Sequence, residues 1–294
     1  MKKMCFIVNP RSGKVQIKPH LMDVLQIFNE AEYDVNVHIT LYRGHAIEIA
    51  QSLPDDIDLV AVSGGDGTLN EVLTGLQKSG KKLPVGYIPA GSTNDFANTF
   101  GIATDPLKAA KQITEGTGKT IDVGNFNGSR YFSYIASFGI FTAASYNTPQ
   151  ITKNAFGHLA YVLEGMKDIT KISPYKVRVE TDDRIYDGRY IFGSVTNTTS
   201  VGGIVKLDKE LVKMNDGLFE IVLVKYPANI NDISKIIMGC TNSNFSDPVF
   251  EFVKSSKVKF TFEDSINWSV DGEQETTGTT VNIENCMHAA TIIR

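Results

Sequence analysis

The sequence predicts two domains: an α/β first part built on a parallel sheet, and a β-rich, sandwich-like second part. Three observations lead there. The first third alternates short apolar strands with amphipathic helices, which implies a parallel sheet with right-handed crossovers. Beyond about residue 122 the pattern becomes alternating strands separated by Asp, Asn and Gly, as in antiparallel sheets. The 294 residues, 42% of them hydrophobic, suffice for one large or two ordinary domains.

Each element has its own signal. "MCFIVNP" is a short apolar strand closed by Asn9-Pro10, too short for a signal peptide. Residues 17–32 place Leu21, Val24, Leu25 and Phe28 on one helical face. "DVNVHIT" (34–40) alternates as a strand and "HAIEIAQSL" (45–53) is helical. "DLVAV" (58–62) is apolar from Leu59 on, as expected of a strand covered on both faces. A helix at about 68–78 and the strand "LPVGYIPA" (83–90) follow. In the second part a helix is expected at about 154–171 and another at 229–240, among strands such as "YKVRVE", "GLFEIVLVKY" and "KVKFTFE". The domains are expected at 1–122 and 123–294, with the last strand turning toward the first domain and any longer C-terminal return short or absent.

Composition narrows the function. A net charge of -4 argues against bulk nucleic-acid binding and against a strongly electrostatic membrane anchor. Cys5, Cys240 and Cys286 are odd in number and widely spaced, which fits a reducing cytoplasm and no disulfide framework. No run approaches the roughly 18 apolar residues of a membrane span, so a protein without a transmembrane segment is expected.

The chemistry centres on "VSGGDGTLNEV" (62–72), a glycine turn between a strand and a helix. Ligands of open α/β sheets gather beyond the carboxyl ends of the strands. Glycines let backbone amides approach an anion, and the helix N-terminus favours it. Thr68 and Glu71 read as a T-x-x-E capping box. Asp66 is not explained by helix capping: a carboxylate among amides meant for phosphate calls for a bridging cation, here Mg²⁺. The turn is neither a lysine-bearing P-loop nor a G-x-G-x-x-G dinucleotide fingerprint. Three companions accompany it: "NPRSG" (9–13), "IPAGSTNDFA" (88–97) and "SVDGEQE" (269–275). Alone these read as a surface turn, a capped loop and an Asp-Gly hairpin.

Together, "GGDGTLNEV" (64–72), "PAGSTNDFA" (89–97) and "DGE" (271–273) resemble the diacylglycerol kinase catalytic-domain family, in particular its soluble bacterial lipid kinases. The resemblance covers nearly the whole chain. It implies a nucleotide-binding α/β domain similar to that of NAD kinases, a β-sandwich-like second domain and an active site in the cleft between them. It further implies that Asn9, Pro10, Arg11, Ser12 and Gly13 line an ATP site and that Thr40 contacts nucleotide. Gly65, Asp66, Gly67, Thr68, Leu69, Asn70 and Glu71 would wrap the phosphates, and Thr93 would add a contact. Asp66, Asp95 and Asp122 would form a Mg²⁺-linked acidic network. Glu273 would be the general base, supported by Asp271. Phosphoryl transfer from ATP to an alcohol requires such a base and charge neutralisation. "KMNDGLFEI" (213–221) looks like the family's structural metal loop, with Asp216 and the carbonyls of Lys213 and Leu218 holding Mg²⁺. The second loop departs mildly from the family's common G-T-x-N-D, reading Gly91-Ser92-Thr93-Asn94-Asp95.

The expected activity is therefore an ATP-dependent lipid kinase acting on diacylglycerol in the cytoplasm, peripheral at the inner membrane surface, with a homodimer as the default assembly. An NAD kinase shares GGDG and the two-domain plan, but "LNEV" and "STNDFA" follow the lipid-kinase pattern. An inactive nucleotide- or lipid-binding regulator is the third reading. Retention of Asp66, Asp95, Asp271 and Glu273 argues against it. An apolar acceptor cleft could draw on Phe138, Phe141, Phe156, Leu159, Tyr161 and Met166, although plain core explains most of them.

Overall fold

The computed structural model describes all residues except 14–16, 92–93, 141–172, 202–204 and 209. The chain divides into two compact units, Met1–Val123 with Met287–Arg294, and Gly124–Cys286.

The first unit runs β1 (Lys2–Val8), α1 (Leu21–Glu30), β2 (Tyr33–Ile39), α2 (His45–Gln51), β3 (Leu59–Gly64), α3 (Asp66–Ser79), β4 (Pro84–Pro89), α4 (Asp95–Phe100) and α5 (Pro106–Glu115). The strands are parallel in the order β2-β1-β3-β4, with Val8 opposite both Ile39 and Ser63, and Ser63 opposite Ile88. β3 is buried along its whole length, which is why Leu59–Val62 is an unbroken apolar run. This order brings the C-terminal ends of β1, β3 and β4 side by side. The chain's final strand pairs in parallel with β4 through Thr291 and Ile292.

Two helices extend the sequence reading. α3 begins two residues earlier than its apolar period suggested, at Asp66. α5 buries Ala109, Ala110 and Ile113, a stripe dominated by alanine that a hydrophobic pattern weights lightly. Its start was encoded nonetheless. Asp105 caps it by accepting from the Lys108 amide at 2.9 Å, and Pro106 opens the helix.

The second unit is antiparallel. β5 (Gly118–Phe126) leads into it, followed by β6 (Arg130–Phe132), β7 (Ile135–Gly139), β8 (Tyr175–Thr181) and β9 (Ile185–Thr196). Two short strands, β10 (Ser200–Val201) and β11 (Val205–Lys206), precede β12 (Phe219–Lys225), α6 (Ile230–Asn242) and β13 (Phe250–Ser255). β14 (Lys257–Phe262), β15 (Ile266–Val270), β16 (Glu273–Thr277) and β17 (Thr280–Ile293) complete the chain. The twelve-residue β9 is the hub. It pairs with β8 through its first half and with β7 and β12 through its second.

Trp268 anchors the core between the strands. Its ring lies 5.0 Å from Phe138, 5.1 Å from Phe260 and 5.5 Å from Phe126, and all four are buried. Phe138 is thus a core residue, not part of an acceptor cleft. Phe141, Phe156, Leu159, Tyr161 and Met166, and the helix expected at 154–171, lie outside the described residues. Phe138→Ala should remove about 3–5 kcal/mol of stability, the usual loss for a buried phenylalanine. Urea unfolding followed by emission of Trp268, the chain's one tryptophan, measures it as a lowered midpoint.

Candidate active site

Three loops meet where β1, β3 and β4 end. The Asn9 amide donates to the Ser63 carbonyl at 2.8 Å, and the Ala90 amide to the Gly64 carbonyl at 2.7 Å. Side chains then tie the loops across. Asn9 Nδ2 donates to Thr68 Oγ1 at 2.9 Å, and the Gly65 amide donates to Ser12 Oγ at 3.2 Å. The Gly91 amide donates to Asn94 Oδ1 at 2.8 Å, closing the third loop on itself. Glycine makes the approach possible. A Cβ on Gly13, which has φ +48°, would stand 2.2 Å from the Ala90 carbonyl oxygen, and one on Gly91 would stand 2.9 Å from the Gly65 Cα. Gly65 and Gly67 remain half-buried at the start of the fourteen-residue α3, and a Gly67 Cβ would meet nothing within 4 Å. A half-buried helix N-terminus with open space before it is where an anionic group is favoured.

Asp66 opens that helix and is nearly buried. Its Oδ2 accepts from the Asp95 amide at 3.1 Å, and its Oδ1 from the Tyr87 hydroxyl at 3.4 Å. The Asp95 carboxyl is pushed up to about 6, first by burial and then by the charge of Asp66. Burial and Asp66 also raise the Tyr87 phenol. A Mg²⁺ bound here would be held by the hard carboxylate oxygens of Asp66 and Asp95. Asp122 accepts from the His288 amide at 2.7 Å and has no exposed surface. Among the described residues no group of three or more His, Cys, Asp or Glu side chains is placed to hold a metal ion.

The remaining nucleotide candidates divide. Ser12 and Thr40 are nearly buried, and the Thr40 amide donates to the Val8 carbonyl at 2.9 Å. Pro10 is half-buried, while Arg11 is exposed and its amide donates to Asn9 Oδ1 at 3.0 Å. Leu69 is core. Asn70 is 6% exposed, and its Oδ1 has no hydrogen-bond partner among the described residues. Thr93 lies outside them. The expected capping box does not form. With Gly65 as N-cap, Thr68 falls inside the first turn, and Glu71 instead accepts from the Gly44 and Ala46 amides at 2.9 and 3.3 Å, where α2 begins.

The second unit presents the other acidic motif. Asp271 and Gly272, with φ +47° and +81°, make the two-residue turn between β15 and β16. The Asp271 carboxylate accepts from the amides of Ser133, Tyr134 and Ile135 at 2.7, 3.1 and 2.9 Å and from Ser133 Oγ at 3.2 Å. Burial pushes it up to about 7 against those donors, which pull it down. Its oxygens therefore support the turn. Glu273 is the first residue beyond the turn and is partly exposed. Its Oε2 accepts from Arg130 Nη2 at 2.7 Å. The sequence did not single out Arg130 or Tyr87, because one lies in a Gly-Ser-Arg turn and the other in an apolar strand.

The loop expected to hold a structural metal contains a cation of the protein's own. Lys254 Nζ lies 3.0 Å from Glu220 Oε1 and 3.7 Å from Asp216 Oδ2, and it donates to the Leu211 carbonyl. Asp216 Oδ1 accepts from the Leu218 amide at 3.1 Å. Glu220 has no exposed surface, and burial pushes it up to about 7 against the pull of Lys254. A Mg²⁺ held by Asp216 and the carbonyls of Lys213 and Leu218 would share that carboxylate with the ammonium.

Comparison with known proteins was consistent across the chain. Residues 3–126 match the diacylglycerol kinase catalytic domain, and residues 135–290 match the YegS C-terminal NAD kinase beta sandwich-like domain. The diacylglycerol kinase of Bacillus subtilis (strain 168) is 36% identical, over 93% of this chain and 90% of the relative. That of Staphylococcus carnosus (strain TM300) is 32% identical, over 92% and 89%. A Bacillus anthracis protein solved as a candidate diacylglycerol kinase superimposes with a TM-score of 0.83 at 27% identity, covering 99% of this chain and 95% of that one.

Two stability measurements follow from the buried acids. The Asp95 carboxyl is at about 6 in the fold against an ordinary 3.8, so its contribution is intact below 3.8 and is lost as pH rises through 6. Asp95→Asn should therefore stabilise the protein by about 1–3 kcal/mol at pH 8, a gain that vanishes toward pH 4. Lys254→Met leaves Glu220 buried without its counter-charge and should cost about 3–5 kcal/mol at pH 8. That deficit should shrink as pH falls toward about 7, because without the ammonium Glu220 takes up its proton at a higher pH than in the wild type. Urea titrations across pH 4–8 measure both.

Proposed function

The chain belongs to the diacylglycerol kinase catalytic-domain family, and on that premise we propose that it transfers the γ-phosphate of ATP to the free hydroxyl of diacylglycerol, giving phosphatidic acid. The observation that carries this reading is the carboxylate pair Asp66–Asp95, held at the open N-terminus of α3 by three interlocked loops. An ATP-binding turn needs amides for phosphate and carboxylates for a phosphate-bound cation, and this turn has both.

In this reading Asn9, Ser12 and Gly13 shape one wall of the nucleotide site, and Gly65 and Gly67 bring amides to the phosphates. Asp66 and Asp95 would hold Mg²⁺, whose charge offsets the acids and the phosphates together. Tyr87 fixes the Asp66 side chain. Glu273 accepts the proton of the lipid hydroxyl as the oxygen–phosphorus bond forms, because an alcohol is too weak a nucleophile at neutral pH. Asp271 keeps the turn in the shape that presents Glu273 at its exit. Among the described residues no helix is long and apolar enough to cross a membrane, so we propose that the enzyme meets its lipid peripherally, at the inner membrane surface.

Purified protein with labelled ATP, Mg²⁺ and mixed micelles of diacylglycerol, phosphatidylglycerol or a sphingoid base tests the acceptor, with NAD⁺ as a further arm. Label is expected in phosphatidic acid. Label on NAD⁺ in place of lipid would replace this reading with the NAD kinase one. Glu273→Gln should lower kcat by about 10²–10⁴-fold while nucleotide binding and far-UV circular dichroism persist. Full turnover in that variant would remove Glu273 from the role.

A further inference from the structure

We propose that Arg130 is a positioning residue for the transfer, holding the Glu273 carboxylate in place in competition with Glu275. The proposal rests on the reading of Glu273 as the base. Arg130 opens β6. Its Nη2 donates to Glu273 Oε2 at 2.7 Å and to the Val270 carbonyl at 3.4 Å, and its Nη1 donates to Glu275 Oε2 at 2.6 Å. One planar guanidinium therefore spans three acceptors of the same hairpin, a carbonyl before the turn and two carboxylates after it.

The spacing makes this possible. Glu273 and Glu275 are two apart on β16 and so emerge on one face. The segment from the end of β6 to the start of β7 grips the same turn a second time, because Ser133, Tyr134 and Ile135 supply the donors for Asp271. The segment 130–135 thus fixes both the turn's backbone and the first side chain beyond it. Arg130 is 19% exposed, and Glu273 and Glu275 are 31% and 39% exposed, so the interaction is worth little as stability. Its geometric effect is larger. A fork serves two carboxylates at once in fixed orientation, whereas a lysine ammonium is a single point charge on a flexible stem.

That difference supplies the test. Micelle kinetics with ATP and diacylglycerol are compared for Arg130→Lys, Arg130→Gln, Glu275→Gln and the two doubles. Arg130→Lys should lower kcat by roughly 10- to 100-fold with the KM for ATP unchanged, as misplacement of a reacting group does. Adding Glu275→Gln should restore most of that loss, since the ammonium then has Glu273 as its one carboxylate partner in the hairpin. The same addition to Arg130→Gln should restore nothing, because rescue needs a cation. Wild-type kcat in both Arg130 variants, rescue in both doubles or rescue in neither would overturn the proposal. Loss of turnover in Glu273→Gln alongside any of those results leaves the base assignment standing. Full turnover in Glu273→Gln overturns the base itself.

Discussion

Gly65 and Gly91 meet backbone to backbone, so closely that a Cβ on Gly91 would stand 2.9 Å from the Gly65 Cα. Gly13 meets Ala90 in the same way. The nucleotide-binding unit depends on this contact. A parallel sheet in the order β2-β1-β3-β4 brings three loops to one edge, but only residues without side chains let the loops touch. Once they touch, the cross-links from Asn9 to Thr68 and from Gly65 to Ser12 come within reach. The start of α3 is then positioned by its neighbours in place of a side-chain cap.

The same principle operates in the second unit with different atoms. There a two-residue turn is held by a carboxylate that gathers three amides and a hydroxyl. Arg130 extends the grip by one residue, to Glu273. In both units a motif residue that resembles a reactive acid acts partly as a fastener: Asp66 for the start of α4, through the Asp95 amide, and Asp271 for the segment after β6. Supporting hydrogen bonds of this kind hold an acid within the tolerance that chemistry requires.

What the sequence made legible follows from the range of each signal. The strands of the first unit and the Asp-Gly turn are local, written in apolar runs and in a residue pair that accepts positive φ. The family motifs pointed to Asp66, Asp95 and Glu273 individually. Pairings between distant residues were not legible. Glu71 sits three residues after Thr68, as a capping box requires, yet α2 lies beside α3 and offers it Gly44 and Ala46. Lys254 is 38 positions from Asp216, and nothing local says that its ammonium enters that loop. Arg130 reads as an ordinary turn residue until the sheet brings it to β16. Tyr87 reads as core, and it is core, but its hydroxyl reaches Asp66.

Three carboxyl groups show how differently this fold treats an acid withdrawn from water: Asp271 and Glu220 are buried, and Asp95 is half-buried. Asp271, Glu220 and Asp95 are all raised, chiefly by loss of water. Asp271 is compensated by four donors, and Glu220 by the ammonium of Lys254. Asp95 has different surroundings: the charge that raises it is the carboxylate of Asp66, and among the described residues no lysine or arginine pairs with it. The fold thus compensates two of these acids with its own donors and leaves the third beside a like charge. That contrast sits beside the half-buried start of α3. Perturbed carboxyl groups cluster at functional sites, so this contrast singles out the same turn as the glycine motif.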